Sequence, residues 1–239
     1  MRLLAVETST LTGAVAVLDS GAVVAESRVS VAVTHGERLM AAIDGVIRAA
    51  RCELGEMEAF AVAQGPGSFT GIRIGLSTVK ALAFATGKPV VGVPTLEALA
   101  WRLPYCAYPV CPILDAKKNE VYAGLYRTIE GQLEVVEAPR AVAPATLAEE
   151  LRAAVSGPIV FVGDAVGPFA PVLVDVLGAR ALLAPADLRL PSAVTVGELG
   201  GRALQSGEIP DPASLVPLYL RPSEAELARE RRQRAGHPN

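Results

Sequence analysis

The chain has 239 residues, of which 51% are hydrophobic, and its 22 Lys and Arg against 25 Asp and Glu leave a formal net charge of −3. This composition can bury one large core or two small ones, so it excludes a disordered chain. The slightly acidic balance does not point to nucleic acid as a direct partner, and we expect any contact with RNA to be local or made by a partner.

The cysteines and the first residues indicate the compartment. Cys52, Cys106 and Cys111 are odd in number and lack CxxC spacing, which favours a reducing environment over a disulfide framework. The opening MRLLAVETST has neither the long apolar segment nor the cleavage site of a signal peptide. No stretch reaches the roughly 18 apolar residues of a membrane span. We expect a soluble, cytoplasmic protein that does not bind membranes.

The first half of the chain predicts mixed α/β structure. Three short Val-rich runs, at residues 2–8, 13–20 and 22–31, are separated by turn signals and predict an antiparallel meander. Apolar residues at helical spacing predict a helix over 35–50. A strand at 59–64, a helix from the N-cap Ser68 to about Thr86, a strand at 88–93 and a helix at 95–101 follow, giving the order β-β-β-α-β-α-β-α.

The second half repeats this rhythm after a proline-rich segment at residues 103–112. Predicted strands lie at 109–116, 120–127, 133–139 and 158–164, and predicted helices at 145–155, 166–178 and 192–207. The duplicated β-β-β-α-β-α units predict an α/β fold of two similar lobes. We assign 1–104 to an N-terminal lobe, 105–207 to a C-terminal lobe, and 208–239 to a segment that returns to the first lobe and ends in a helix.

The tail from Ser223 contains a capping box with Glu226 and a mixture of charges. A solvated terminal helix is one interpretation. The alternative is a basic patch that touches RNA, formed by Arg229, Arg231, Arg232 and Arg234.

The segment AQGPGSFTGIRIG, residues 63–75, looks like a phosphate-binding loop because its glycines lead from a strand into a helix. A P-loop places a lysine directly after its glycines, whereas the next lysine here is Lys80, inside the helix. The GxGxxG spacing of a dinucleotide site is absent, and Pro66 lacks a backbone N–H. The GxSxG motif of esterases is absent as well, since Ser68 comes one place too early. The glycines therefore indicate neither a nucleotide site nor a hydrolase.

The predicted helix over residues 69–86 carries only two charges, Arg73 and Lys80, and is apolar in nearly every direction. Such a helix is buried on more than one side. Gly71 and Gly75 lie one turn apart, so another backbone can approach that stripe. Two interpretations stay open: the helix is buried within this chain, or one of its faces meets a second protein.

Several segments together resemble the TsaB (YeaZ) family, a paralogue of TsaD: RLLAVETST, QGPGSFTGIRIG, KPVVGVPTLEALA and PILDAKKNEVYAGLY. The resemblance covers nearly the whole chain and is weakest over residues 128–207 and in the tail. It implies an actin-like, Hsp70-like (ASKHA, RNase H-like) two-lobed fold. It also implies a non-catalytic role with TsaD and the ATPase TsaE in forming threonylcarbamoyladenosine beside the anticodon of tRNAs that read codons beginning with A.

The same resemblance implies that TsaB is a dimerisation platform for TsaD, that it forms a homodimer when TsaD is absent, and that it meets tRNA only through the complex. Combined with the apolar helix, it predicts a partner interface on the first two long helices, at Leu39, Ile43, Gly71, Ile72, Arg73, Gly75, Leu76 and Val79. It further predicts a vestigial nucleotide cleft at Thr8, Asp115, Gly163 and Asp164.

The residues that differ from the wider family limit the expected chemistry. TsaD-type chains hold a metal through HxxxH, whereas His35 is followed four residues later by Leu39. The glycines of the second phosphate loop are replaced by residues 116–119, which disfavours tight ATP binding. We therefore expect no metal, no cofactor and no catalytic residue. A glycoprotease-like peptidase and a stand-alone weak ATPase remain the alternative functions.

Overall fold

The computed structural model describes residues 1–30, 35–207 and 211–221. In the first lobe β1 (Arg2–Glu7), β2 (Thr12–Asp19) and β3 (Ala22–Ser30) form the predicted antiparallel meander. β4 (Ala59–Gly65) and β5 (Val90–Pro94) add parallel strands on the other side of β1, giving the order β3-β2-β1-β4-β5.

The second sheet has the same topology. It consists of β6 (Val110–Lys117), β7 (Glu120–Ile129), β8 (Gln132–Val142), β9 (Ile159–Val162) and β10 (Ala181–Leu183), in the order β10-β9-β6-β7-β8. Each strand thus has a counterpart in the first sheet, and the predicted duplication within an α/β fold is confirmed. The sequence did not predict β10, which is only three residues long and, among the described strands, pairs only with β9.

In the part of the chain that the structure describes, six α-helices cover the two sheets: α1 (His35–Ala49), α2 (Phe69–Thr86), α3 (Thr95–Ala100), α4 (Pro144–Ala154), α5 (Val166–Leu177) and α6 (Ala193–Gln205). The predicted start and end of α2 are confirmed. The Ser68 hydroxyl accepts a hydrogen bond from the Gly71 N–H at 3.2 Å, and Gly87 ends the helix at a φ of +65°.

Successive side chains of a strand point to opposite faces of the sheet, so the first sheet has one hydrophobic core on each face. Leu4 and Val17 point to the face covered by α1 and α2. Leu3 and Leu18 point to the opposite face, where α6 packs. Although α6 lies in the range predicted for the C-terminal lobe, it covers the first sheet, because its apolar side completes a face that the N-terminal helices leave open.

Residues 211–221, which we call the C-terminal strap, are the described part of the predicted returning segment. Leu215 enters the core beneath α2, and the Leu218 N–H donates to the Gln64 carbonyl oxygen at 2.7 Å. The Arg221 guanidinium then reaches Glu120 of the second lobe at 2.6 Å. The strap therefore connects both lobes, whereas the predicted capping box and basic patch of the tail lie outside the described residues.

None of the helices in the described ranges is both long enough and apolar enough to cross a membrane.

Candidate interaction surface and interlobe cleft

The glycines of the 63–75 segment pack against the turn that follows β1. A Cβ at Gly71 would overlap the Thr8 carbonyl oxygen, and a Cβ at Gly75 would overlap the Thr8 hydroxyl. The Ser68 N–H also donates to the Ser9 carbonyl oxygen at 2.6 Å. The space beside Gly71 and Gly75 is thus filled by this chain, which corrects our expectation that a partner backbone lies there.

Most of the other residues predicted for the partner interface are also in the core. The side chains of Leu39, Ile43, Ile72, Leu76 and Val79 are at most 5% exposed and pack between α1, α2 and the first sheet. A partner cannot reach these side chains while the lobe is folded, so their predicted contacts are corrected as well. The physical reason is that an apolar stripe at helical spacing marks the face turned toward the chain's own sheet.

Arg73 is the one predicted interface residue that is exposed. Its guanidinium lies 3.7 Å from the centroid of the Phe69 ring, and its Nε donates to the Tyr219 hydroxyl at 2.8 Å. The Phe69 and Tyr219 rings stack with their centroids 5.3 Å apart. Arg73 therefore links the first turn of α2 to the C-terminal strap.

The outward faces of α1 and α2 carry large apolar side chains that the sequence analysis did not single out. Phe84 on α2 is 91% exposed and Met40 on α1 is 51% exposed. Phe69, at the start of α2, is 39% exposed. We call Met40, Phe69 and Phe84 the outer apolar residues. Phe69 and Phe84 lie near the two ends of α2, so the exposed apolar side chains are spread along this helix.

The interlobe cleft brings a carboxyl group of each lobe near the other, the buried Glu7 of the first lobe and the half-buried Asp164 of the second. Glu7, at the end of β1, is fully buried, and its Oε1 accepts a hydrogen bond from the Ser9 N–H. The structure gives Oε2 no donor among the described residues. Burial, and to a lesser extent the charge of Asp164, raises the pKa of Glu7 to about 7, although the hydrogen bonds from Ser9 oppose the rise.

The predicted cleft residues Asp115, Gly163 and Asp164 lie together at the end of the second sheet. The Asp164 Oδ1 accepts from the Asp115 N–H at 3.1 Å. Burial would raise the pKa of Asp115, but hydrogen bonds from the Lys117 side chain and N–H hold it below its ordinary value. A Cβ at Gly163 would overlap the Ile113 carbonyl oxygen. The carboxylates of Asp115 and Asp164 therefore already accept hydrogen bonds from groups of the second lobe.

Thr8, the fourth predicted cleft residue, faces α2, because its hydroxyl donates to the Gly71 carbonyl oxygen at 2.8 Å. In the second lobe, Lys117, Lys118 and Asn119 have φ between +54° and +62°, a conformation that favours glycine. The turn thus keeps a glycine-like backbone while it carries side chains.

Among residues 1–30, 35–207 and 211–221, no three His, Cys, Asp or Glu side chains are grouped as metal ligands.

The fold and the cleft define the class of protein. Two sheets of equal topology, with Glu7 of the first lobe near enough to Asp164 of the second for their charges to interact, form an actin-like, two-lobed structure. The ethanolamine utilization protein EutJ from Carboxydothermus hydrogenoformans shares this fold, with a TM-score of 0.53 and 15% identity over 84% of this chain and 90% of that one. The predicted actin-like fold is therefore confirmed.

Sequence comparisons define the family within this class. A family model described as TsaD, tRNA N6-adenosine threonylcarbamoyltransferase, matches residues 27–229. The Bacillus subtilis (strain 168) tRNA threonylcarbamoyladenosine biosynthesis protein TsaB is 33% identical over 226 residues, which cover 95% of this chain and 96% of that protein. The Escherichia coli (strain K12) protein of the same name is 32% identical over 166 residues, 68% of this chain and 71% of that protein.

A solved structure agrees with these relatives. It is an uncharacterized protein from Pseudomonas aeruginosa described as similar to peptidase YEAZ, with a TM-score of 0.78 and 29% identity over 92% of this chain and 99% of that one. The chain belongs to the TsaB family of tRNA threonylcarbamoyladenosine biosynthesis proteins, as its sequence motifs predicted.

Proposed function

We propose that this protein is a non-catalytic subunit that works with TsaD and TsaE in transferring a threonylcarbamoyl group to the adenosine beside the anticodon. The observation that carries the proposal is the match to a curated TsaB along nearly the full length of both chains. In this role the first lobe docks TsaD, tRNA is met through the complex, and the protein pairs with a second copy of itself when TsaD is absent.

The outer apolar residues support docking through α1 and α2. Phe84 and Met40 would leave water on association, and burying large apolar side chains at the centre of an interface is a main source of binding energy. The buried stripe that we first assigned to the partner then has a different task. It holds α1 and α2 on the sheet, so that their outer faces form a rigid surface.

The cleft gives less support to the two alternative functions. In the second lobe Asp115 is paired with Lys117, and the turn that would approach phosphate carries side chains, which disfavours an ATPase. A peptidase needs a nucleophile beside a base, and the sequence contains only two histidines, far apart, and neither HExxH nor GxSxG. Calorimetry with ATP and Mg²⁺ tests the first alternative, because micromolar binding would restore the cleft as a nucleotide site.

The docking proposal is tested with purified TsaD and size-exclusion chromatography. Phe84→Asp and Met40→Asp place a charge on the proposed surface and should abolish co-elution with TsaD. Val174→Asp is the matched control, since Val174 is an exposed apolar residue on α5 of the other lobe and should leave co-elution unchanged. Unaltered binding by both surface variants, with their circular dichroism preserved, would place the interface elsewhere.

The non-catalytic role is tested by reconstituting threonylcarbamoyl transfer to tRNA. TsaD and TsaE with this protein should modify tRNA, and omission of this protein should reduce the modification strongly. If this protein alone modifies tRNA from the activated threonylcarbamoyl donor, it is an enzyme and the proposal is wrong.

A further inference from the structure

A cavity of about 500 Å³ opens on the side of the first sheet that faces away from α1 and α2. Its lining includes Leu3 and Leu18 from the sheet, Glu198 and Arg202 from α6, and Trp101 and Tyr105 from the segment that follows α3. A cavity of this size falls within the range of small-molecule sites. Because it lies across the sheet from the outer apolar residues, it is separate from the proposed TsaD surface.

The wall of the cavity is held rigid by contacts within the chain. Trp101 is only 5% exposed, and its indole N–H donates to the Glu198 Oε2 at 2.8 Å. The Arg202 guanidinium carbon lies 4.2 Å from the centroid of the Trp101 ring. Its Nη1 donates to the Gly131 carbonyl oxygen in the β7–β8 turn at 2.9 Å. These groups are therefore in place before any ligand arrives, which reduces the entropy lost on binding.

The rim differs from the wall because it carries an aromatic ring that packs on little of the chain. Tyr105 is 95% exposed, although aromatic side chains normally bury much of their surface. A phenol ring at the mouth of a cavity offers a face on which a planar ligand can stack. The Trp101 N–H bonds to Oε2 of Glu198, so Oε1 can accept a hydrogen bond from a ligand. Arg202 has further N–H donors, and Gln205 adds an amide group to the lining.

This combination restricts the chemical class of the ligand. A purely apolar molecule would strip water from Glu198 and Arg202 without replacing their hydrogen bonds. A simple anion would be attracted by Arg202, but the neighbouring carboxylate of Glu198 would repel it. A planar ring whose edge carries both donors and acceptors satisfies both charged groups and can stack on Tyr105. We infer that this cavity binds a nucleobase, presented either by a free nucleoside or nucleotide or by an unpaired base of RNA.

The protein contains its own reporter for this inference, because Trp101 is the single tryptophan of the chain and lies in the cavity wall. A base bound there should quench its fluorescence saturably when the indole is excited at wavelengths that the bases do not absorb. The probes are adenosine, guanosine, cytidine and uridine, their 5′-monophosphates, and a short unstructured RNA. Ribose without a base is the negative control and should leave the fluorescence unchanged.

Two variants test whether the quenching comes from the cavity. A Cβ at Gly201 would meet only the end of the Met1 side chain, at 3.6 Å, so Gly201→Leu should fill the cavity without displacing the core. Gly167→Leu is its control, because Gly167 is an exposed helical glycine with open space, on α5. Tyr105→Ala removes the stacking face at an exposed position, and Tyr108→Ala is the matched exposed tyrosine that does not line the cavity.

We expect quenching by at least one base, with affinity lowered about tenfold by Tyr105→Ala and abolished by Gly201→Leu. Both controls should bind as the parent does. Quenching by nucleosides identifies a free-ligand site, whereas quenching by RNA alone, lost in Tyr105→Ala, identifies an unpaired base. If no probe quenches, or if Tyr105→Ala and Gly201→Leu bind as tightly as their controls, the inference is wrong. Should Gly201→Leu fail to fold, the comparison of Tyr105→Ala with Tyr108→Ala still decides.

Discussion

The hydroxyl of Thr8 donates a hydrogen bond to the carbonyl oxygen of Gly71 across 2.8 Å, joining the turn after β1 to the first turn of α2. The same hydroxyl occupies the space that a Cβ at Gly75 would need. Thr8 thus bonds to Gly71 and, by filling the space beside the next turn of α2, requires glycine at position 75. The conspicuous glycines of this segment serve packing within the lobe, and the surface that we propose for TsaD lies on the other side of α2.

Gly75→Ala should destabilise the protein even though alanine favours a helix over glycine by about 1 kcal/mol. The added methyl group would collide with the Thr8 hydroxyl, and overpacking of this kind costs about 1–3 kcal/mol. Gly45→Ala on α1 is the control, because a Cβ there meets nothing and should raise stability. Chemical denaturation measures both.

The same collision predicts energetic coupling between the two positions. In a Thr8→Ala background the hydroxyl is gone, so Gly75→Ala should cost clearly less than in the parent chain. An equal cost in both backgrounds would mean that Thr8 is not the residue that excludes a side chain at position 75.

Glu7 should make stability depend on pH. Folding raises its pKa from an ordinary 4.5 to about 7, so the folded state holds the proton more tightly than the unfolded state. Its contribution is complete below pH 4.5 and is lost as the pH rises through about 7. Glu7→Gln stays neutral and should therefore gain stability over the parent by roughly 3 kcal/mol between pH 4 and pH 8. A difference in unfolding free energy that stays constant with pH would contradict the assignment.

The C-terminal strap should contribute to the first core through one residue. Leu215 is 7% exposed, so Leu215→Ala should lower the unfolding free energy by at least about 2 kcal/mol. Its neighbour Val216 is 62% exposed, and Val216→Ala should change stability by less than about 0.5 kcal/mol. Equal effects of the two substitutions in urea titrations would show that the strap does not pack as described.

The three thiols should differ in reactivity. Cys111 is fully buried, and burial raises the pKa of its thiol well above the ordinary value. Cys52 and Cys106 are partly exposed. A thiol reagent should modify two cysteines of the folded protein, and the third should react only after denaturation. Cys111→Ala should abolish this third reaction. Three equally fast reactions would contradict the burial of Cys111.

Local patterns in the sequence were sufficient for most of the elements. Ser68 and Gly87 act at the two ends of α2 through local backbone geometry, so both boundaries could be predicted. The family could be predicted for a similar reason, since its motifs are continuous segments. By contrast, β10 has three residues and no alternation that distinguishes it from a loop, and it becomes a strand only because β9 offers a free edge.

The arrangement of the surfaces was decided by the tertiary structure. Periodicity showed that α2 is apolar on several sides, but it could not tell whether the chain's own sheet or another protein fills the space beside Gly75. That depends on Thr8, 67 positions earlier in the sequence. Likewise, Trp101, Tyr105 and Arg202 carry no shared motif, and α6 brings them together only by returning to the first sheet. A sequence records which groups a chain carries, whereas long-range packing determines which of them meet and which remain exposed to a partner.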